Sequence, residues 1–184
     1  MADESTPKQQ LSLTGLTGLL RRDVSIMTRT RMIEVLQRLI VTEDEISEHA
    51  SFSEHRYSRN LVVRDKQFEV LMICWKSGQR SLIHDHGDSF GGVKVLRGIL
   101  TESLFTPALN GMIKAVASTD YRSGDVQIED RSTIHQVSNL QRGWCDAISL
   151  HIYLPPLGRM KIYRLYDVDV RSVSAELYNY GSGI

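Results

Sequence analysis

The sequence predicts a mainly β protein, a β-sandwich or barrel preceded by helices. Three observations carry this. From Tyr57 onward the apolar residues recur with a period of two, in short runs rich in Val, Ile, Leu and Tyr. Turn signals separate many of the runs: Ser77-Gly78, Gly98, Asn110-Gly111, Ser123-Gly124, Arg142-Gly143 and Pro155-Pro156. No strand–helix alternation follows residue 55, which argues against a doubly wound sheet. Many short strands punctuated at intervals of about 8–12 residues are the pattern of a sandwich or barrel.

In chain order, residues 1–10 are polar and are expected to fray. Over 24–50 the pattern is helical, because Met32, Ile33, Leu36, Leu39 and Ile40 fall on one face at spacings of three and four. Thr42 followed by Glu45 is a capping-box signature for a second short helix to about Ala50. These helices are expected to pack on a sheet. Strand-like runs follow at 68–75, 80–86, 92–97, 99–105, 112–116, 124–129, 134–139, 146–153 and 159–168. The tail from Ser172 has no clear period and is expected to pack loosely or lie free. At about 150 residues per domain, a chain of 184 residues is one domain. Its expected parts are a helical segment over about 1–54, a barrel over about 55–170 and a tail over 171–184.

Composition narrows the function. Lys plus Arg equals Asp plus Glu at 22 each, so there is no electrostatic footprint for nucleic acid or an anionic membrane. No apolar stretch approaches the ~18 residues of a membrane span. The stretch Leu11–Leu20 resembles a short signal core. However, Asp3 and Glu4 precede it, Arg21 and Arg22 follow it, and it has no small-x-small cleavage site. The expectation is a soluble cytoplasmic protein, a monomer or weak homo-oligomer. Cys74 and Cys145 form no disulfide framework, sit in apolar strand-like runs and read as reduced core thiols.

The histidines carry the chemistry. In a strand, residues i and i+2 share a face about 6.6 Å apart, so the imidazoles of His84 and His86 can converge on one cation. His135, in a later strand-like run, can complete the set. Three neutral histidines leave coordination positions open, as a catalytic site requires. An HxH pair alone also occurs among unrelated histidines, and the surroundings separate the two readings. Gly78, five residues, His84-x-His86, four residues, Gly91, six residues and Gly98 resemble the first cupin motif. Gly91 stands where many cupins carry a glutamate ligand. Gly124, then His135, three residues and Asn139 resemble the second motif, without its usual Pro-x-Gly turn.

Without that glutamate, three imidazoles leave the charge of a divalent ion uncompensated. Such a site favours an anionic ligand, a thiolate among them. Open positions on iron(II) would also admit dioxygen. Three histidines equally suit zinc in hydrolysis or hydration, and this reading stays open. Ser149, His151 and Tyr153 alternate along one run, so they share a strand face and can form a hydrogen-bonded chain. On an outer face they would be solvated strand polars. On an inner face beside the metal, Tyr153 would be a hydrogen-bond donor or acid. No elbow motif surrounds Ser149, against a Ser–His nucleophile.

Four segments now resemble the cysteine dioxygenase family of thiol dioxygenases: 57–62 (Tyr-Ser-Arg-Asn-Leu-Val), 83–86 (Ile-His-Asp-His), 94–98 (Lys-Val-Leu-Arg-Gly) and 149–156 (Ser-Leu-His-Ile-Tyr-Leu-Pro-Pro). The resemblance runs from about Tyr57 to Tyr166. It implies a cupin barrel, a double-stranded β-helix or jelly roll, with one non-haem iron(II) per chain on His84, His86 and His135. It implies that L-cysteine binds the iron through sulfur and amine, and that dioxygen converts it to cysteine sulfinic acid. Arg59 matches the family's carboxylate-binding arginine, whose fork suits a carboxylate, and Tyr57 a tyrosine that helps hold the same group. Tyr153 matches the tyrosine beside the iron, with His151 and Ser149 as its relay. Leu154-Pro155 matches a Ser-Pro step that is cis in relatives, with Leu here in place of Ser. Animal members carry a cysteine where this chain has Gly91, thioether-linked to the tyrosine matched by Tyr153. With Gly91 no such link can form, as in bacterial members. Three other readings remain: a 3-mercaptopropionate dioxygenase, which usually has glutamine in place of Arg59, a non-catalytic metal-binding cupin, and a zinc-dependent lyase or isomerase.

Overall fold

A computed structural model describes residues 9–143 and 145–175. The chain opens with α1 (Leu13–Asp23), whose Ser12 cap accepts from Gly15 N, and a 3-10 turn at Val24–Ile26. Helices α2 (Arg29–Arg38) and α3 (Glu43–His49) follow. The capping box forms as expected: Thr42 Oγ1 accepts from Glu45 N, and the Glu45 carboxylate accepts from Thr42 N. The helical pattern over 24–50 is therefore two helices joined by extended backbone. Helix α1 lies in the stretch read only for signal-peptide features.

The strands are β1 (Ser58–Arg64), β2 (Glu69–Trp75), β3 (Ile83–His84), β4 (Phe90–Arg97), β5 (Ile99–Pro107), β6 (Ile113–Arg122), β7 (Val126–Glu129), β8 (Ile134–Ser138), β9 (Ala147–Leu154), β10 (Arg159–Arg164) and β11 (Asp167–Ser174). Their pairings are antiparallel. One sheet runs β1-β2-β9-β4-β7 and the other β11-β10-β3-β8-β5-β6.

Several boundaries differ from the sequence reading: β1 was not among the runs, β3 is only Ile83–His84 within the run 80–86, and β6 continues to Arg122 past the run 112–116. The run at 159–168 breaks at Leu165–Tyr166 into a hairpin. The expected loose tail is, over 171–174, part of β11, where Arg171 pairs with Ile162 and Ser174 with Arg159. Its side chains are mostly exposed, so no apolar period marked it. The rest of the tail, 176–184, lies outside the described residues.

The first sheet is covered on both faces, which explains why every residue of β2 and β9 is buried. One face of β9 presents Ile148, Leu150, Ile152 and Leu154 to the helices, in a cluster with Leu16, Leu20, Met32 and Leu36. The helices dock closely. A Cβ at Gly92 would stand 2.6 Å from Met32 Cγ, so only glycine admits α2 there. Lys94 Nζ donates to the carbonyls of Leu36 at 2.9 Å and Leu39 at 2.6 Å, satisfying the helix end. The opposite face of β9, with Ala147 and Tyr153, looks into the space between the sheets. Ser149, His151 and Tyr153 are 0%, 3% and 4% exposed, so these polar residues face the interior and not water. Among the described residues, no helix is long and apolar enough to cross a membrane.

Candidate metal centre

His84 ends β3 and pairs directly with His135 on β8. His86 lies two residues on, where Asp85 turns the chain. Asp85 is buried and accepts from Gly87 N, Lys161 N and the Tyr163 hydroxyl at 2.9–3.1 Å, which ties the His-Asp-His segment to β10.

The three rings converge. His84 Nδ1 meets Leu82 O at 2.9 Å and His135 Nδ1 meets Glu102 Oε1 at 2.7 Å, so both present Nε2 to the shared space. His86 Nε2 is 3.2 Å from His135 Nε2, and one donor atom from each of the three lies within 4.8 Å of the others. Imidazole binds a divalent ion such as zinc at roughly 2.0–2.1 Å, so two neighbouring ligands of one ion stand about 3 Å apart.

Protonation suits the same use. Burial pushes His84 down to about 3 and His86 well below its ordinary range, so both are neutral. Burial also opposes charge on His135, but Glu129 and the bond to Glu102 outweigh it and push its pKa up. A proton on His135 in the metal-free protein is one that an ion would displace. Glu102 then fixes the tautomer of the metal-bound ring.

The alternating residues of β9 form one chain with a direction. Trp75 Nε1 lies 3.0 Å from Ser149 Oγ, Ser149 Oγ 2.9 Å from His151 Nε2, and His151 Nδ1 3.0 Å from the Tyr153 hydroxyl. An indole N–H can only donate. Ser149 therefore accepts from Trp75, and since His151 Nε2 is the one acceptor in reach of its own buried proton among the described residues, that proton goes to His151. The imidazole proton then sits on Nδ1 and is donated to Tyr153, which leaves the phenol proton free to point away from the relay. Burial holds His151 well below its ordinary range, and Arg59 adds to this. Burial and the Glu129 charge hold the Tyr153 phenol well above its own. Tyr153 therefore keeps its proton and acts as a donor.

Arg59, Tyr57, Trp75, His84, His135 and Tyr153 line one cavity. The Tyr57 ring stacks on Trp75 with centroids 4.5 Å apart. Arg59 Nε is buried without a hydrogen-bond partner, and no carboxylate among the described residues pairs with the guanidinium. All eight residues singled out in the sequence thus meet at one place. Leu154–Pro155 is cis. Cys74 packs in the helix-facing cluster as expected, but Cys145 is exposed and not in the core, because it precedes the buried strand that starts at Ala147; neither occupies the position beside Tyr153.

Trp75, Glu102 and Glu129 were not legible as site residues. Gly91 stands where many cupins carry a glutamate ligand, and the structure brings a carboxylate beside the histidines from another strand, that of Glu129. This residue ends β7 opposite Gly91 on β4, is fully buried, and brings Oε2 to 3.2 Å from His86 Nε2. Burial pushes its carboxyl up to about 7, with His135 opposing and Glu102 adding. Glu102 had one sequence signal: it shares a face with Leu100 in an alternating strand and is buried like it.

A model of the family described as Cysteine dioxygenase type I matches residues 16–165. Cysteine dioxygenase type 1 of Rattus norvegicus is 38% identical over 112 residues, covering 59% of this chain and 56% of the rat protein. That of Danio rerio is 37% identical over 119 residues, covering 62% of this chain and 59% of the fish protein. The match spans just over half the length of these curated relatives. Among solved structures, an uncharacterized conserved protein with a double-stranded β-helix domain from Klebsiella pneumoniae has a TM-score of 0.54 and 16% identity. The likeness covers 67% of this chain and 97% of that one and is one of fold. The expected fold class is borne out: mainly β, a cupin double-stranded β-helix with N-terminal helices.

Proposed function

This chain belongs to the cysteine dioxygenase type I family, and on that premise we propose that it is an iron(II)-dependent thiol dioxygenase acting on L-cysteine. The reaction adds both atoms of dioxygen to sulfur, RSH + O2 giving RSO2H. The observation that carries the reading is one cavity holding three converging imidazoles, a buried guanidinium nitrogen without a partner, and a phenol that donates.

His84, His86 and His135 hold the ion, one per chain. Bound there, iron(II) supplies the redox chemistry that joins dioxygen to the thiol sulfur. Arg59 binds the substrate carboxylate through its charged fork, meeting the unsatisfied Nε hydrogen. Tyr57, held flat against Trp75, walls the carboxylate end. Tyr153 directs its hydroxyl proton toward the reacting end, with His151 and Ser149 holding that orientation. Gly91 offers no sulfur, so Tyr153 acts as an unmodified phenol.

The test is oxygen uptake with L-cysteine and, separately, 3-mercaptopropionate, with anaerobic controls and metal analysis of the same samples. Uptake with cysteine and formation of the sulfinic acid are expected. No uptake with either thiol in iron-loaded protein would remove the dioxygenase reading. A preference for 3-mercaptopropionate would remove the cysteine assignment and keep the class.

A further inference from the structure

We propose that Glu129 is a fourth, anionic ligand of this metal centre, reaching it from β7 through the space that Gly91 leaves open on β4. The inference rests on the reading of the three histidines as a metal site and goes beyond it, since that reading supplies only neutral donors.

Glu129 also stands within 4.8 Å of ligand atoms of Glu102 and His135, but those two already meet each other at 2.7 Å. Glu129 is fully buried, and both its oxygens lack a hydrogen-bond partner. An ionised carboxylate in such a place is costly unless it is paired or coordinates a metal. His135 does not satisfy it, because His135 Nδ1 already meets Glu102 at 2.7 Å and stands 3.6 Å from Glu129 Oε1. His86 Nε2 lies 3.2 Å from Glu129 Oε2, yet the pair lacks hydrogen-bond geometry. A separation near 3 Å without a hydrogen bond is what two ligands of one ion show. The same 3.2 Å separates His86 Nε2 from His135 Nε2.

Space and charge agree. Gly91 pairs with Glu129 on one side and Tyr153 on the other. A Cβ at residue 91 would stand 3.2 Å from Glu129 Oε2 and 3.1 Å from the Tyr153 ring. Glycine leaves the carboxylate uncrowded there. Three imidazoles leave a divalent ion at +2, and Glu129 lowers this to +1 within the inner shell. With four protein donors the centre would lack room for sulfur, amine and dioxygen together, so cysteine would meet it through the thiolate alone, held less tightly than at an all-histidine site.

The experiment uses metal alone, with no thiol or dioxygen. Iron(II) is titrated anaerobically against a coloured chelator, and cobalt(II) by its visible absorption, into wild type, Glu129→Gln, Glu129→Asp and His86→Ala, each first shown folded by circular dichroism. Expected are loss of binding in His86→Ala, and in Glu129→Gln an affinity lowered by more than the ~10–100-fold that losing an outer partner of a ligand costs, with a shifted cobalt spectrum. Glu129→Asp keeps the charge but withdraws it by one methylene, so its spectrum shifts as well. If His86→Ala loses the metal while Glu129→Gln keeps wild-type affinity and spectrum, Glu129 is not a ligand and the histidine site stands. If weakening occurs with an unchanged spectrum in both Glu129 variants, the carboxylate acts only at a distance and ligation is refuted. If His86→Ala retains metal, the metal reading itself fails and this inference with it.

Discussion

Ser149→Ala tests the direction of the Trp75–Ser149–His151–Tyr153 chain. The change deletes one hydroxyl that makes two buried hydrogen bonds, at 3.0 and 2.9 Å. It strands the Trp75 indole N–H and one ring nitrogen of His151. Leaving a buried polar group unsatisfied costs about 1–3 kcal/mol, so two such groups cost about 2–6 kcal/mol. In a chain of this size each kcal/mol lowers Tm by about 2–4 °C, which predicts a fall on the order of 5–25 °C. The catalytic effect has a different origin. Without Ser149 the His151 proton is no longer held on Nδ1, and that nitrogen becomes free to accept from Tyr153. The phenol then donates backward into the relay. The ceiling is Tyr153→Phe, for which the loss of one such donor costs on the order of 10²–10³ in kcat. Ser149→Ala is expected to lose about 10–100-fold in kcat with KM for cysteine little changed, because Arg59 and Tyr57 are untouched. The assay is steady-state oxygen consumption on iron-matched samples at 25 °C. In a Tyr153→Phe background the Ser149 change should add no further loss of kcat, since both act through one proton. A variant that melts lower but turns over at the wild-type rate would show the chain to be a structural strut, as would full additivity with Tyr153→Phe.

Three further outcomes are expected. His86→Ala should be folded and bind little iron by metal analysis, and stoichiometric iron in that variant would sink the three-histidine assignment. Arg59→Gln keeps a donor but loses the charge and the fork. A charge-assisted bond contributes roughly 1.5–3 kcal/mol, so kcat/KM for cysteine should fall by about ten to two-hundredfold. Activity toward 3-mercaptopropionate should fall less or rise, and equal losses on both thiols would mean that Arg59 does not set specificity. Intact mass should equal the sequence mass before and after turnover, and a species lighter by two hydrogens with a Cys–Tyr peptide on digestion would contradict the unlinked Tyr153.

Much of this site was legible because its residues lie close in sequence or carry a periodic signal. His84 and His86 are two apart, and the Ser149, His151 and Tyr153 alternation needed only a strand to share a face. What alternation could not say was which face. Strand β9 is covered by helices on one side and by the second sheet on the other. A polar stripe on it therefore had no solvent to meet, and burial turned an ambiguous pattern into a relay. Trp75 was hidden for the opposite reason: in an all-buried strand an indole reads as core, and only its pairing across from Ala147 brings the N–H to Ser149. Strand β11 was missed because its mostly exposed residues give no apolar period. It is recognised by hydrogen-bonded pairing to β10, which is a property of the partner strand.

Glu129 was illegible because its meaning depends on register. A glutamate next to an aspartate before a turn reads as solvated charge, and its neighbour Asp130 is indeed exposed and ion-paired to Arg29. One position earlier in the strand the side chain points inward, opposite the one residue of β4 that leaves room for it. Gly91 was read from sequence as two absences, of a cupin glutamate and of the cysteine that animal relatives link to tyrosine. In the fold it is one opening between Tyr153 and Glu129. A Cβ at residue 91 would stand 3.1 Å from the tyrosine ring and 3.2 Å from the carboxylate, so both would have to give by a few tenths of an ångström to admit it. Residue 91 therefore crowds Tyr153 and Glu129 together or leaves both at ease. With glycine there, Glu129 Oε2 lies uncrowded at 3.2 Å from His86 Nε2.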